Sequence, residues 1–338
     1  MFETKMLGND ETSIEEAARL IKNGEVVGIP TETVYGLGAN ALDEEAVRKI
    51  FAAKGRPADN PHIVHVSDFE EISPLVEEIP QLAKACAEKF WPGPLTMIMP
   101  KSDLIPMVTS GGLDTVGIRM PSNPTARAII KTSECPIAAP SANISGSPSP
   151  TTAQHVMNDM NGRIPAIVDG GACGVGVEST VISFEDNAIR LLRPGFISVE
   201  DLKEVCDDVR IDKGVLEMLE ENAKVSSPGM KYKHYAPKAE VTILDGSSEG
   251  FCRYCKENCS PDDILMIFDK HDCEGLSQKV IELGSTSEEQ AQRLFDALRS
   301  LDEIGAKKAF VRCPKKDGVG LAVYNRLLRA AAFRVIKL

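Results

Sequence analysis

The chain contains neither a Gly-x4-Gly-Lys-Ser/Thr run nor a Gly-x-Ser-x-Gly elbow, so a P-loop ATPase and a serine hydrolase of the elbow type are both unsupported. No apolar run approaches the roughly 20 residues that a bilayer-spanning helix needs. The N-terminal stretch MFETKMLGNDETS lacks an apolar signal-like core, and the cytoplasm is the expected compartment. An excess of cations is also missing: 38 Lys and Arg stand against 50 Asp and Glu, giving a net charge of −12. General attraction to nucleic acid or anionic membrane normally selects a basic face, so neither is the first expectation. Nine cysteines, an odd number scattered along the chain, read as reduced thiols and not as a disulfide framework.

At 338 residues the chain exceeds what one core usually organises, and its 43% hydrophobic and 26% charged content is that of a globular protein. Two domains are expected. The charge reverses sign locally. Arg48, Lys49, Lys54 and Arg56 face only Asp59 between Arg48 and His65, and four lysines face no acid between Lys224 and Lys238. Such basic islands in an acidic chain point to specific anion sites.

Strand-like and helix-like stretches alternate through the first 205 residues or so, which predicts a mixed α/β domain. Strands are expected at Glu25 to Ile29, His62 to Val66, Thr96 to Met99, Val116 to Met120, Ala166 to Asp169, Thr180 to Phe184 and Ile189 to Leu192. Asp43 caps a helix with Ala46, Val47, Ile50 and Phe51 on one face, and Ser73 to Phe90 is a second helical stretch broken by Pro80. Further helices are read at Pro124 to Lys131, Thr152 to Met160 and Val199 to Cys206. Polar loops at Ser141 to Pro150 and Gly170 to Ser179 are longer than plain connections require.

Residues 206–238 read as a linker containing Ser227-Pro228-Gly229-Met230-Lys231-Tyr232-Lys233-His234-Tyr235-Ala236-Pro237, which has breakers at both ends and no apolar period. In a chain that is only 5% aromatic, a linker carrying Tyr232, His234 and Tyr235 is expected to lie on something. Residues 239–338 read as a smaller α/β domain with a parallel sheet. Its long helix carries a stripe of Ala291, Leu294, Phe295, Leu298, Leu301 and Ile304 after a capping box at Ser287 to Gln290.

Gly36-Leu37-Gly38-Ala39-Asn40-Ala41 matches a relaxed dinucleotide fingerprint, but the helix cap is at Asp43, beyond it, which leaves tight turn geometry as the simpler reading. Lys54-Gly55-Arg56-Pro57 closes the Asp43 helix. It reads equally as a helix end favoured by the dipole and as a compact turn presenting a point charge and a fork to one anion. Ser141-Ala142-Asn143 follows the apolar Ile137 to Pro140 and places a hydroxyl and an amide at a strand end, as ordinary turn formers or as ligand groups. Glu32 is a lone carboxylate in Thr31-Glu32-Thr33, not an acid/base pair, and His65 has no obvious orienting acid. Cys252, Cys255 and Cys259, followed by His271 and Cys273, invite a zinc reading; the spacing also places all three on one helix face as small buried residues.

Ile29 to Leu37, Lys54-Gly55-Arg56, Ser141-Ala142-Asn143 and Ser227 to Tyr232 together closely resemble the Sua5/YrdC family, in its long two-domain form. The resemblance implies a YrdC-like twisted mixed sheet with a concave active face, plus a smaller Rossmann-like Sua5 domain. It implies formation of threonylcarbamoyl-AMP: L-threonine and bicarbonate form N-carboxythreonine, whose carboxylate attacks the α-phosphate of ATP and releases pyrophosphate. Mg2+ would share the triphosphate charge, with no protein side chain as metal ligand.

Residue by residue, Lys54, Arg56, Ser141 and Asn143 match the family's signatures toward the nucleotide phosphates. Asn60, Thr115, Ser149 and Arg193 match further nucleotide positions. Thr33, His65, Arg119, Ala139 and Ser179 match a threonine pocket, with Arg119 toward the amino acid's carboxylate. Tyr232, His234 and Tyr235 resemble the family's lid, with Tyr235 toward ATP. Lys54→Ala or Arg56→Ala is expected to abolish turnover and leave the fold intact. The product would serve position 37 of ANN-decoding tRNAs through a downstream tRNA-modifying complex, and weak tRNA contact is compatible with the family. The alternative is a non-catalytic module that binds double-stranded RNA or tRNA.

Overall fold

The computed structural model describes residues 3–55, 60–217, 235–269 and 275–338. Expectations about Arg56, Pro57, Tyr232, His234, His271 and Cys273 lie outside these residues.

The first half opens with β1 (Lys5–Leu7), α1 (Glu11–Lys22), β2 (Val27–Ile29), β3 (Gly36–Asn40), α2 (Glu44–Lys54) and β4 (Ile63–His65). A 3-10 turn at Phe69–Leu75 precedes α3 (Gln81–Phe90), β5 (Leu95–Pro100), β6 (Thr115–Arg119), α4 (Pro124–Ser133) and β7 (Ile137–Ala138). Then come α5 (Ala153–Met160), β8 (Ala166–Val168), β9 (Thr180–Glu185), β10 (Ala188–Arg193), α6 (Val199–Lys203) and β11 (Val209–Ile211). These strands form one mixed sheet in the order β1-β8-β2-β3-β7-β4-β6-β5-β9-β10-β11. Its two faces are both covered. Ala17, Ile21 and Ile129 of α1 and α4 pack with Val27 and Ile29, while Val47, Ile50, Ala83 and Val156 of α2, α3 and α5 pack with Leu37, Val64 and Ile118. Burial on both sides is why these strands read as short apolar runs and not as alternating patterns.

Local chemistry fixes the helix that leads to the site. The Asp43 carboxylate accepts from the Glu45 and Ala46 amides to start α2, and Gly55, at φ 68, ends it in the left-handed region that a side chain disfavours.

The second half comprises β12 (Glu240–Asp245), α7 (Ser248–Asn258), β13 (Ile264–Ile267), β14 (Lys279–Glu282), α8 (Ser287–Glu303), β15 (Lys308–Arg312), α9 (Gly318–Ala330) and β16 (Val335–Lys337). Its strands pair in parallel in the order β14-β13-β15-β12-β16. Phe251 and Cys255 of α7 cover one face, and α8 and α9 cover the other. The core under α8 and α9 also takes in Val34, Val177 and Tyr235, so the two halves share apolar packing.

Several expectations are corrected. Gly36 to Asn40 is neither a fingerprint nor a tight turn but strand β3, antiparallel to β2. A Cβ on Gly38 would lie 3.1 Å from the Ile137 side chain and 3.2 Å from that of Ile29, so the glycine serves close packing. The capping box of α8 is Thr286 with Glu289, one residue earlier than expected, and Gln290 turns inward to donate to the Gly284 carbonyl. Ile304 is the exposed C-cap of that helix, and its buried stripe ends at Leu301. The first sheet continues into the expected linker, because β11 pairs in parallel with β10. Helix α1 and strands β1, β11 and β16 had no expectation, while β7 is the strand expected before Ser141. Among the described residues no helix is long and apolar enough to cross a membrane.

Candidate active site

The site forms across three neighbouring strands, at the ends of the parallel β4 and β6 and beside the antiparallel β7. His65 ends β4, Arg119 ends β6 opposite it in register, and Ala139 follows β7 with its amide donating to the Ile63 carbonyl at 3.0 Å. Ligand groups in α/β sheets gather at such strand ends. The β2–β3 connection lays Thr31, Glu32 and Thr33 across them, and the bridge between Gly36 and Ser141 ties this connection to the Ser141–Asn143 turn. The result is a cleft of about 790 Å3 of space, part of it open to solvent.

The cleft wall includes Thr33, His65, Arg119, Ala139 and Ser179. Arg119 donates to the Thr33 hydroxyl at 2.9 Å and the Gly93 carbonyl at 3.3 Å, and its remaining nitrogen lies 2.6 Å from a Glu32 oxygen. Because Thr33 accepts from Arg119 and Thr31 donates to the Val34 carbonyl, the Thr33 hydroxyl donates to Thr31. Burial pushes the Glu32 carboxyl up, but the charge and hydrogen bond of Arg119 outweigh it and hold it below the usual carboxylate range. Glu32 is therefore the counter-ion of Arg119, a role its solitary position in the sequence concealed. Burial, then the charge of Arg119, pushes the His65 pKa down to about 3, so its ring is neutral. Its Nδ1 lies 3.2 Å from the Ile63 carbonyl, which can only accept. Nδ1 thus carries the proton and Nε2 presents a lone pair.

It also includes Lys54, Ser141, Asn143, Arg193 and Tyr235. Lys54 is only 2% exposed. Its ammonium donates to the Ser141 carbonyl, to the Asn143 carbonyl at 2.8 Å and more distantly to Asn143 Oδ1. The Ser141 hydroxyl donates to Asn143 Oδ1 at 2.5 Å, and the Asn143 amide donates to the Ile144 and Ser147 carbonyls. Lys54 thus belongs to the scaffold of this turn as well as to the cleft wall, which corrects the expectation that its charge serves phosphate alone. Arg193 donates to the Ser179 carbonyl and hydroxyl, each at 3.1 Å. Burial lowers its pKa to about 10, which leaves it a cation at neutral pH. Tyr235 is buried at φ 62, a left-handed conformation that a tyrosine rarely adopts.

Three expected residues are not on the cleft wall. Thr115 starts β6 and pairs with Pro100, about 13 Å along the strand from Arg119 at some 3.3 Å per residue. Asn60 is buried beside Pro61, which does line the cleft. Ser149 is buried one bond behind the wall, its hydroxyl donating at 2.5 Å to Glu178, the one carboxylate on the wall among the described residues. Glu178 itself is gripped by Arg326 of α9, with Nε 3.0 Å from Oε2. The Gly170 to Ser179 loop had signalled function; Arg326 carried no sequence signal. Cys252 and Cys255 lie in α7, Cys255 buried in its core, and Cys259, the C-cap of that helix, packs partly buried against the same apolar cluster. Among the described residues no cluster of three metal-ligating side chains occurs.

Comparison with known proteins agrees with this architecture. The sequence pattern of the family described as "Telomere recombination", covering Sua5, YciO and YrdC, matches residues 19–195, and that of "Threonylcarbamoyl-AMP synthase, C-terminal domain" matches residues 197–332. The threonylcarbamoyl-AMP synthase of Pyrococcus abyssi is 47% identical, over 97% of this chain and 96% of that protein. The enzyme of that name from Bacillus subtilis is 45% identical, over 99% of this chain and 97% of that protein. The crystal structure of P. abyssi Sua5 complexed with L-threonine superposes with a TM-score of 0.92 at 45% identity, covering 99% of this chain and all of that one. With both patterns matched and the full length shared, the chain belongs to the Sua5/YrdC family, in its long form with a C-terminal Sua5 domain.

Proposed function

We propose that this protein is a threonylcarbamoyl-AMP synthase, converting L-threonine, bicarbonate and ATP to L-threonylcarbamoyl-AMP, pyrophosphate and water. The observation that carries the reading is one cleft whose wall joins a buried arginine, hydroxyls and a neutral imidazole to the Lys54 and Arg193 cations with Ser141 and Asn143. In this reading the first set is the threonine end and the second the nucleotide end. Relatives of that name extending over nearly the whole chain support the same reading.

In this reading Arg119 and Thr33 meet the carboxylate and hydroxyl of threonine, and the Nε2 lone pair of His65 faces its amine. The amine nitrogen bonds to the carbon of bicarbonate and water leaves, giving the carbamate. A carbamate oxygen then bonds to the α-phosphorus, and pyrophosphate departs with the electrons of the broken P–O bond. The chain supplies no covalent group. Lys54, Arg193 and the Ser141 and Asn143 side chains hold the phosphates and offset the charge that builds on their oxygens, while proximity of the reactants supplies the rest. Mg2+ fits as a companion of the triphosphate, held mainly by phosphate and water. Glu178, the one carboxylate on the wall among the described residues, already spends both oxygens on Ser149 and Arg326. Arg56 joins Lys54 toward the phosphates, Tyr232, His234 and Tyr235 complete the nucleotide side as a lid in this proposal, and Asn60, Thr115 and Ser149 act from its margin.

The first sheet, to about residue 215, carries the chemistry, and the product passes to a downstream tRNA-modifying complex in the cytoplasm. A module that only holds RNA is disfavoured by the net charge of −12. Purified protein with ATP, Mg2+, L-threonine and bicarbonate is expected to release pyrophosphate that depends on both co-substrates. Release no greater than in the control without threonine rejects the assignment.

A further inference from the structure

The guanidinium of Arg326 is fully buried, 148 residues along the chain from the cleft residue it holds. We propose that Arg326 is a positioning residue for the adenylation step, acting through Glu178 to set the nucleotide side of the cleft. The proposal rests on the reading of the two ends given above.

Arg326 grips residue 178 twice, by Nε to Oε2 at 3.0 Å and by Nη2 to the backbone carbonyl at 3.2 Å. Its Nη1 donates to the carbonyl of Pro194, the residue after Arg193, at 2.5 Å. The other Glu178 oxygen accepts from the Ser149 hydroxyl. The ring of Tyr235 lies 5.9 Å from the guanidinium. Ser149, Arg193 and Tyr235, all assigned to the nucleotide end, are therefore each one contact or one residue from this side chain. Neither Thr33 nor His65 touches it, and Ser179, though next in the chain to Glu178, has its hydroxyl held separately by Thr96 and Arg193.

The grip is charge-based and rigid. Burial pushes the Glu178 carboxyl up, and Arg326 followed by Arg193 outweighs that push, so the carboxylate stays ionised between two guanidiniums. Removing one partner of such a buried pair leaves the other charge uncompensated, and its hydrogen-bonded neighbours shift with it. Neighbouring contacts hold α8 and α9 in place. Arg299 of α8 makes a two-pronged pair with Asp159 and donates to the Pro148 carbonyl at 2.6 Å, bracing the loop that ends in Ser149. Asn325 and Arg329 of α9 donate to the carbonyls of Val215 and Gly214. A helix whose only task was docking would need these contacts and not the one to a carboxylate on the cleft wall.

The test compares the full-length protein with Arg326→Gln. Calorimetry reads the Kd of ATP and of L-threonine separately, and pyrophosphate release reads kcat and KM. Arg326→Gln is expected to weaken ATP at least tenfold in both Kd and KM and to leave the L-threonine Kd within twofold. Should Arg326→Gln fail to fold by circular dichroism, the paired variant Arg326→Met with Glu178→Gln, which removes both members of the pair, is read in its place with the same expected split. A folded variant with unchanged ATP affinity, or with ATP and L-threonine weakened alike, overturns the proposal. If the unmodified protein binds both ligands but releases no pyrophosphate, the proposed reaction fails, while the ATP Kd of the variant still decides the role of Arg326.

Discussion

Replacing Lys54 by methionine keeps the buried stem and removes only the ammonium, which isolates what its hydrogen bonds contribute. Lys54 donates to two backbone carbonyls, those of Ser141 and Asn143, and more weakly to the Asn143 side chain. Hydrogen bonds to a charged group contribute roughly 1.5–3 kcal/mol each, and both carbonyls stand beside a cleft that water can re-enter, so the lower half of the range applies and the loss is about 3–4.5 kcal/mol. At some 2–4 °C per kcal/mol for a domain of this size, the melting temperature of Lys54→Met falls by about 6–18 °C. Scanning calorimetry on the full chain without nucleotide measures this directly. A fall of less than about 2 °C, with turnover lost, would show that the ammonium serves a ligand and holds nothing in the free protein, and the reasoning from the Ser141–Asn143 turn would be refuted.

Three further outcomes follow from the same contacts. The unfolded chain protonates His65 near pH 6.5, whereas the folded chain refuses that proton until about pH 3. Its contribution to stability is therefore present above pH 6.5 and lost as pH falls through this window, by at most about 1.4 kcal/mol per pH unit. Urea unfolding of His65→Gln at several pH values should give a shallower slope than the unmodified chain, and an identical slope rejects the assignment. Gly176 sits at φ 81, and a Cβ there would lie 2.3 Å from the Gln292 Cα; Gly176→Ala should push α8 off the cleft loop and speed limited proteolysis between the halves, and unchanged cleavage counts against tight docking. A chain cut after residue 210 exposes Val34 and Val177 and strips Glu178 of its cation. It should aggregate or melt well below the full chain, and a soluble product with full affinity for ATP contradicts the shared core.

The parts of this fold that were legible in the sequence are those with local causes. Helix α2 was readable because its carboxylate cap, its apolar face and its terminal glycine all lie within thirteen residues of one another. Lys54, Ser141, Asn143 and Arg119 were readable because they stand in short motifs. Strand β1 was not, since three residues hold no period and its partner β8 lies some 160 positions away. The capping box of α8 slipped by one because Thr286 and Ser287 both offer a hydroxyl, with Glu289 and Gln290 each three residues on; only the extended backbone of Thr286 chooses between them. Glu32 and Glu178 looked like unremarkable acids because their partners, Arg119 and Arg326, are set by the fold and not by spacing. Thr115 shows the reverse case: a motif position whose strand carries it away from the cleft wall.

The 148-residue separation between Glu178 and Arg326 also bears on how the molecule is made. A ribosome adds about 5–20 residues per second, so the carboxylate emerges roughly 7–30 s before its cation has been translated. Until then Arg193 supplies charge beside Glu178 without the hydrogen bonds that Arg326 brings, and water must take their place. This side of the cleft is therefore finished only when α9 arrives, so a chain halted before that helix has the strands of the first sheet but not a finished nucleotide end.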